Sequence, residues 1–241
     1  MNSYQQSTLD NSLFKVQDVS YDNACFYRAV ACGLYQGSPH ENLGKIMSLI
    51  GWGESKTPEH VANLFNSNSK KQDRFAKLIQ SKICEYVSKN PDKKIPDLGD
   101  ITIKDAIFLI HDISWDEYLM HYSVSASEIN FEMLDEEGFY IDRWGSTLEQ
   151  WVVSEIFQIP IVLLNPQTWS NRHNKIINGK IIKSKAQKNV RFRPTAIIGK
   201  NFLHKRPPIF LIWKEYNGEG HYMACFPKNY KNVLNLIKNM I

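Results

Sequence analysis

The sequence predicts an α+β fold in which a long helical block separates one early helix from a group of late strands. Across about 54–137, apolar residues recur at helical spacing between proline and capping signals. After this block, 159–164 and 208–213 are continuous apolar runs, which are typical of strands covered on both faces. With 241 residues, 43% of them hydrophobic and 22% charged, the chain can bury the core of a single domain that spans 1–241.

The helices are predicted from capping signals and from apolar residues spaced three or four apart. A tight turn at 22–25 runs into a helix that has Cys25 in its first turn and one face to bury, and Thr102 caps a helix in the helical block. After the block, Ser146 and Glu149 form a capping box for a helix with a buried side. Further helices are expected at about 40–50, 57–65, 69–90, 115–122 and 128–137, and an amphipathic C-terminal helix at 233–241.

The strands are predicted from alternation, apolar runs and turn signals. Residues 14–16 alternate like a short strand that leads towards Cys25. Asn178-Gly179 lies between two apolar runs, and this dipeptide supplies the positive φ angles of a tight hairpin turn. A glycine-rich turn at 217–220 then places the strand that begins with His221 beside the strand at 208–213. These two strands therefore form a second hairpin.

Cys25 has the position of a reactive thiol, because it stands in the first turn of a predicted helix. The free backbone N–H groups and the positive end of the helix dipole favour thiolate over thiol at this place. Asp22 lies three residues earlier, where its carboxylate can accept from backbone N–H groups and hold the turn in one shape. The amides of that turn then point at any oxyanion that forms when Cys25 attacks a carbonyl. The alternative is that Cys25 is a small buried hydrophobic residue.

A histidine that can serve as a base favours the catalytic interpretation. His221 follows a glycine-rich turn and opens an apolar strand near the end of the chain. Several cysteine proteases place the nucleophile early and the histidine late in the sequence, since the two meet in space. The sequence therefore predicts that Cys25 and His221 lie within reach of each other.

Three motifs, taken together and in this order, resemble the ovarian-tumour (OTU) family of deubiquitinating cysteine proteases. The resemblance covers about 14–36 and 138–227. The motifs are Asp22-x-x-Cys25-Phe26-Tyr27-Arg28-Ala29, then Trp144-Gly145-x-x-x-Glu149 followed by an apolar helix and Pro160-Ile161-Val162, and last Gly220-His221-Tyr222. The resemblance implies a papain-like fold, with a central, mostly antiparallel sheet packed between helices. It also implies hydrolysis of isopeptide bonds at the C-terminus of ubiquitin, with Cys25, His221 and Asp22 as catalytic residues and with ubiquitin or polyubiquitin as partner.

The helical block at about 54–137 is longer than a compact member of the family uses, so the resemblance implies an inserted helical arm. Such arms contact ubiquitin in the family, and enlarged arms are similar to those of some bacterial effector members. Residues 105–149 are strongly acidic, with Arg143 as the only Lys or Arg, and this charge suits the Arg-rich tail of ubiquitin. The alternative is a scaffold without ligand contacts.

One position departs from the family pattern. Most relatives carry Asp or Asn two residues after the catalytic histidine, where it orients the ring, and Met223 stands there in this chain. A thioether accepts hydrogen bonds only weakly and cannot fix a tautomer. Either the site works as a Cys-His dyad or another segment supplies the third residue. The candidates are Asn217, Glu219, Asp18 and Asp22.

Composition limits the other classes. The four cysteines lack C-x-x-C spacing and the histidines show no metal-ligand spacing, so we expect no metal, no cofactor and no disulfide framework. A reducing, cytoplasmic compartment fits best, with delivery into a host cell as an effector as one route. No run is long enough for a membrane span, and the N-terminus lacks the features of a cleaved secretory signal.

Two alternative functions remain open. The first is a catalytically inactive OTU-like module that binds ubiquitin, which Met223 favours and which intact Cys25 and His221 disfavour. The second is a nucleic-acid-binding protein that uses the basic stretch at 172–206, where no Asp or Glu occurs. Because few aromatic residues are interleaved with these charges, the stretch is a thin surface for base stacking, and we expect no nucleic-acid partner.

Overall fold

A computed structural model describes residues 8–19, 24–37, 69–123, 145–166, 175–177, 180–182, 190–216 and 219–238. They form a mixed α+β fold with a mostly antiparallel six-stranded sheet, which confirms the predicted class. No helix within these ranges is long and apolar enough to cross a membrane. The helices predicted at 40–50, 57–65 and 128–137 lie outside the described residues.

The described strands and helices are numbered here in chain order. The strands are β1 (Leu9–Asp10), β2 (Phe14–Gln17), β3 (Lys94–Ile95), β4 (Ile101–Thr102), β5 (Ile161–Pro166), β6 (Lys175–Ile177), β7 (Lys180–Ile182), β8 (Arg191–Ile198), β9 (Ile209–Tyr216) and β10 (Glu219–Pro227). The α-helices are α1 (Cys25–Gly37), α2 (Ser69–Lys89), α3 (Ile103–His111), α4 (Trp115–Ser123), α5 (Thr147–Phe157) and α6 (Tyr230–Lys238).

The main sheet has the strand order β1-β8-β5-β9-β10-β2, and its neighbours are antiparallel except for β5 and β9. The hairpin predicted around His221 is confirmed, because β9 and β10 pair from Tyr216 opposite Glu219 onwards. The pairing of β6 with β7 confirms the hairpin predicted around Asn178-Gly179, although these turn residues lie outside the described ranges. β2 pairs with β10 only from Ala224 to Pro227, so its C-terminal end stops close to the first half of β10.

Side chains on the two faces of the sheet form two separate cores. Tyr222 and Ala224 of β10 belong to the larger core, together with buried residues of α1, α2, α3 and α5. Met223 and Cys225 alternate with them and point to the smaller core, which α6 closes with Val233 and Ile237. The sheet is therefore covered by helices on both faces, as an apolar sheet requires.

The helical block contributes directly to the larger core. Ile79 and Ile83 of α2 and Ile103 and Ile107 of α3 are fully buried in the same cluster as α1. Its described part, 69–123, therefore packs against the helix that carries Cys25. The assignment of this block as an inserted arm of a single domain stays a prediction.

Two predicted caps are confirmed in detail. The Thr102 hydroxyl accepts from the Asp105 N–H at 3.1 Å at the start of α3. Ser146 and Glu149 form a capping box at the start of α5. Glu149 is also fully buried. It accepts from the Tyr118 hydroxyl at 2.7 Å and from the Ser146 N–H at 2.8 Å, and its Oε1 lies 3.1 Å from Nε2 of His111.

The strand predicted at 159–164 begins two residues later than expected. Gln158 adopts the left-handed conformation that ends α5, and the Ile159 N–H still bonds to the Ser154 carbonyl of that helix. Ile159 therefore belongs to the C-terminal turn of the helix, and the strand runs over Ile161–Pro166. The predicted C-terminal helix is observed as α6, which begins at Tyr230, ahead of the expected 233.

Candidate active site

Cys25 is the first residue of α1, which confirms the prediction that it lies in the first turn of a helix. The Arg28 N–H donates to the Ala24 carbonyl at 3.0 Å, so the helical hydrogen bonding starts immediately before Cys25. The side chain therefore lies in the first turn, where the unbonded amides and the dipole stabilise a thiolate. Cys25 is only 2% exposed, so the sulfur sits inside the fold and not on an open surface.

The other three thiols lie in surroundings that keep them protonated. Cys32 and Cys225 are buried, and desolvation raises the pKa of Cys32 to about 12 and raises that of Cys225 as well. Partial burial also raises the pKa of Cys84 on α2. All four cysteines are free of disulfides. Of the four, Cys25 alone stands at the start of a helix.

The sulfur of Cys25 contacts the strand that carries His221. The backbone N–H of Tyr222 donates to the sulfur at 3.5 Å. Because Cys25 opens α1, this bond joins β10 to the start of that helix. The structure therefore brings Cys25 against the residue that follows His221.

His221 makes a close contact with Asp18. Its Nε2 lies 2.8 Å from the Asp18 carboxylate, which accepts the hydrogen bond. This bond lowers the pKa of Asp18 against the opposing effect of burial, and the Val19 N–H and Lys214 lower it further. The histidine is buried, whereas the Asp18 side chain is 74% exposed. The carboxylate therefore reaches the ring from the solvent side.

The strand register explains why Asp18 reaches the histidine. Gln17, the last residue of β2, lies opposite Ala224 of β10. The chain leaves the sheet directly after Gln17, so Asp18 emerges beside the first half of β10. Asp18, one of the candidates that the sequence left open for orienting His221, therefore contacts the ring of that histidine. Asn217 and Asp22 lie outside the described residues, and Glu219 begins β10.

Met223 does not take part in the site. It is buried in the smaller core with Val233 and Ile237 of α6. A carboxylate at this position would be buried among apolar side chains, at a large cost in free energy. Position 223, where the sequence resemblance places an orienting residue, is therefore occupied by a core residue, and the Asp18 carboxylate from another segment contacts the ring of His221.

The catalytic role predicted for Asp22 stays a prediction, because residues 20–23 lie outside the described ranges. Within those ranges, no three His, Cys, Asp or Glu side chains are grouped so that they could hold a metal ion.

Sequence reasoning missed a polar cluster next to Cys25. Gln150 of α5 donates to the Tyr222 hydroxyl at 2.7 Å and to the Gly145 carbonyl at 3.0 Å. Tyr222 lies 72 positions from Gln150 and 77 from Gly145, so no local pattern could have joined it to them. The only signal was that Gly145 and Tyr222 each belong to a motif quoted for the resemblance.

Comparison with known proteins gives a distant structural likeness. No family model and no curated protein matches the chain. Among solved structures, the viral OTU domain protease from Taggert virus is similar over 92% of this chain and 87% of that chain, with 14% identity and a TM-score of 0.43. A likeness this distant assigns neither family nor activity to the chain.

Proposed function

We propose that the chain is a cysteine-type deubiquitinase that hydrolyses isopeptide bonds at the C-terminus of ubiquitin. The observation that carries the proposal is a pair of contacts near the N-terminal end of β10. The Tyr222 N–H donates to the Cys25 sulfur at 3.5 Å, and Nε2 of the neighbouring His221 lies 2.8 Å from the Asp18 carboxylate. A thiol at a helix start, an imidazole on the adjoining strand and a carboxylate on that imidazole are the parts that thiol-dependent acyl transfer needs.

In the proposed mechanism, Asp18 fixes the tautomer of His221 by accepting from Nε2. The buried Nδ1 then takes the proton of the Cys25 thiol. The thiolate attacks the carbonyl carbon of the terminal glycine of ubiquitin, and a carbon–sulfur bond forms. When the carbon–nitrogen bond breaks, His221 returns the proton to the leaving lysine amine. Water then attacks the thioester with His221 as base, which releases ubiquitin with a free carboxylate and restores the thiol.

The first turn of α1 supplies the proposed site for the oxyanion. Backbone N–H groups of a helix start point along the axis towards the N-terminus, so they face a carbonyl oxygen that approaches Cys25. The amides of the 22–24 turn are proposed to complete this group. Donors placed in advance stabilise the developing charge more than they stabilise the neutral carbonyl, and the reaction is accelerated for that reason.

The surface of α3 supports ubiquitin as the partner. Phe108 and Leu109 are 61% and 67% exposed, and the exposed Asp105 and Asp112 flank them on the same face. An apolar patch flanked by carboxylates suits a partner that offers an apolar contact surface and an Arg-rich tail. We propose that this face helps to hold ubiquitin while its tail enters the site.

The experiment that tests the function is reaction with ubiquitin that carries an electrophile at its C-terminus. The proposal expects a covalent adduct at Cys25 and cleavage of at least one diubiquitin in a panel of defined linkages. An inactive ubiquitin-binding module would bind ubiquitin without an adduct. A nucleic-acid-binding protein would ignore ubiquitin and show salt-dependent retention on nucleic acid. Either result would overturn the proposal.

Replacing Asp18 tests the orienting role within this mechanism. Asp18→Ala should lower kcat by roughly tenfold to a hundredfold, well short of the ~10⁴-fold loss seen for a buried triad acid, because water screens this exposed carboxylate. Asp18→Asn keeps an oxygen that can accept from Nε2, so its kcat should fall less than that of Asp18→Ala. The measurement is steady-state cleavage of a fluorogenic ubiquitin substrate. Unchanged kcat in Asp18→Ala would show that His221 works without this acid.

A further inference from the structure

A buried triangle of hydrogen bonds joins Gly145, Gln150 and Tyr222, the residue whose N–H contacts the sulfur of Cys25. The Tyr222 hydroxyl donates to the Gly145 carbonyl at 2.8 Å and accepts from Gln150 Nε2 at 2.7 Å. The same Gln150 nitrogen donates to the Gly145 carbonyl at 3.0 Å. Gln150 and Tyr222 are both buried. The triangle therefore ties β10 to the start of α5 through polar bonds that water does not compete for.

The Tyr222 ring is fixed on a second side by Phe26, the residue after Cys25. The two rings meet edge to face, with centroids 5.2 Å apart. Gly145 lies against Phe26 so closely that an added Cβ would fall 2.0 Å from the ring, so only glycine fits there. Phe26 is thus enclosed between Gly145 and Tyr222, and the first turn of α1 cannot shift without disturbing the triangle.

The backbone of Tyr222 connects the triangle to the sulfur of Cys25. Its N–H donates to the Cys25 sulfur at 3.5 Å, while its hydroxyl belongs to the triangle. A backbone donor stabilises a thiolate more than a neutral thiol, since sulfur accepts hydrogen bonds better when it is charged. The position of this N–H therefore affects how readily Cys25 loses its proton.

From this geometry we propose that Gln150 and the Tyr222 hydroxyl are positioning residues, which hold the Tyr222 N–H on the sulfur of Cys25 and so stabilise its thiolate. The proposal rests on the proposed function, in which Cys25 is the nucleophile. The proposal also gives a reason for a buried polar side chain at position 150. An apolar side chain of similar volume would pack in this core without a buried polar group that needs hydrogen-bond partners.

The test is the pH dependence of Cys25 alkylation by iodoacetamide, followed at this residue by peptide mass spectrometry. Tyr222→Phe keeps the ring against Phe26 and removes the hydroxyl. We expect the midpoint of alkylation to rise by about half a pH unit or more, and the rate at neutral pH to fall about threefold, as the N–H moves from the sulfur. Gln150→Met, which is close in shape, should shift the midpoint in the same direction.

The matched control is Tyr230→Phe. The Tyr230 hydroxyl also donates to a backbone carbonyl, that of Pro208 at 2.9 Å, but it lies on α6 beside the smaller core. This variant should lose stability without moving the midpoint. If Tyr222→Phe and Gln150→Met also lower the melting temperature and leave the midpoint unchanged, the triangle is structural only and the proposal is wrong.

Different results would overturn the proposed function and the proposed positioning role. A protein without any ubiquitin adduct would overturn the deubiquitinase function, whatever the midpoint does. A wild-type protein that forms the adduct, with no midpoint shift in the two variants, would overturn only the positioning role of Gln150 and Tyr222. A double variant should shift the midpoint by less than the two single shifts combined, because both substitutions release the same N–H.

Discussion

Cys25→Ala is expected to abolish both adduct formation with the ubiquitin electrophile and cleavage of ubiquitin chains. The substitution removes the atom that forms the covalent bond, so the loss should reach about 10⁶-fold, the size found when the nucleophile is removed from a catalytic triad. The fold should persist, because only one sulfur atom is lost from a buried site, which costs about 1 kcal/mol. The measurements are gel-based diubiquitin cleavage and the circular dichroism spectrum.

Cys84→Ala is the matched control for this variant. Cys84 is a partly buried thiol on α2, and its raised pKa keeps it protonated. Its removal should leave the adduct and the cleavage rate unchanged. Cleavage that survives Cys25→Ala would show that a different nucleophile, or no thiol, performs the reaction.

Glu149→Ala is expected to destabilise the fold strongly. The carboxylate is completely buried and accepts from Tyr118 and from the Ser146 backbone, with His111 on the same side. These partners come from α3, α4 and the start of α5, so the substitution leaves donors of three elements without their acceptor. Removing one member of a buried charged network costs about 3–5 kcal/mol. Urea unfolding followed by fluorescence measures this loss in free energy of unfolding.

The pH dependence of stability provides a second readout for Glu149. Burial alone would raise the pKa of this carboxyl, but His111, Ser146 and Tyr118 outweigh it and lower the pKa to about 2. Because the pKa in the folded state lies below the model value of 4.5, the carboxylate stabilises the fold above about 4.5, and this contribution is lost as the pH falls towards 2. Glu149→Gln should therefore weaken the fall in stability over this interval.

Glu85→Gln is the control for that measurement. Lys82 and Lys89 also lower the pKa of Glu85 to about 2, but this glutamate lies on the surface of α2. Exposed ion pairs contribute little to stability, so the variant should unfold like the wild type at neutral pH. If both glutamine variants change the free energy of unfolding equally, burial does not increase the contribution of Glu149 to stability.

Features set by neighbouring residues could be predicted from the sequence. The place of Cys25 in the first turn of α1, the cap at Thr102 and the capping box at Ser146 each depend on a few consecutive side chains, and all three are present. The hairpin that places His221 beside β9 depends on a short turn, and it is present as well. Local propensity and local hydrogen bonds decide such elements, so their residues indicate them directly.

Features that depend on long-range register could not be predicted in the same way. Asp18 was one of four candidates for orienting His221, and only the pairing of Gln17 with Ala224 places it near the ring. The contact of Gln150 with Tyr222 joins residues 72 positions apart. Packing of the whole chain decides such contacts, and no spacing within one segment indicates them.

The packing of the helical block changes how its role can be tested. Deleting it would expose the larger core, because Ile79, Ile83 and Ile107 are buried against α1 and α5. Loss of activity in a deletion would therefore report unfolding as readily as loss of ubiquitin contact. Charge or size changes at the exposed Phe108 and Leu109 leave that core intact and separate the two effects.

The most direct measurement of the central claim, that Cys25 and His221 work as a pair, is the pH dependence of Cys25 alkylation in the wild type and in His221→Gln. If the imidazole pairs with the thiol, the wild type should react well below the ordinary thiol pKa of about 8.5, and the variant should react only as the pH approaches that value. Identical profiles for the two proteins would contradict the pairing of Cys25 with His221.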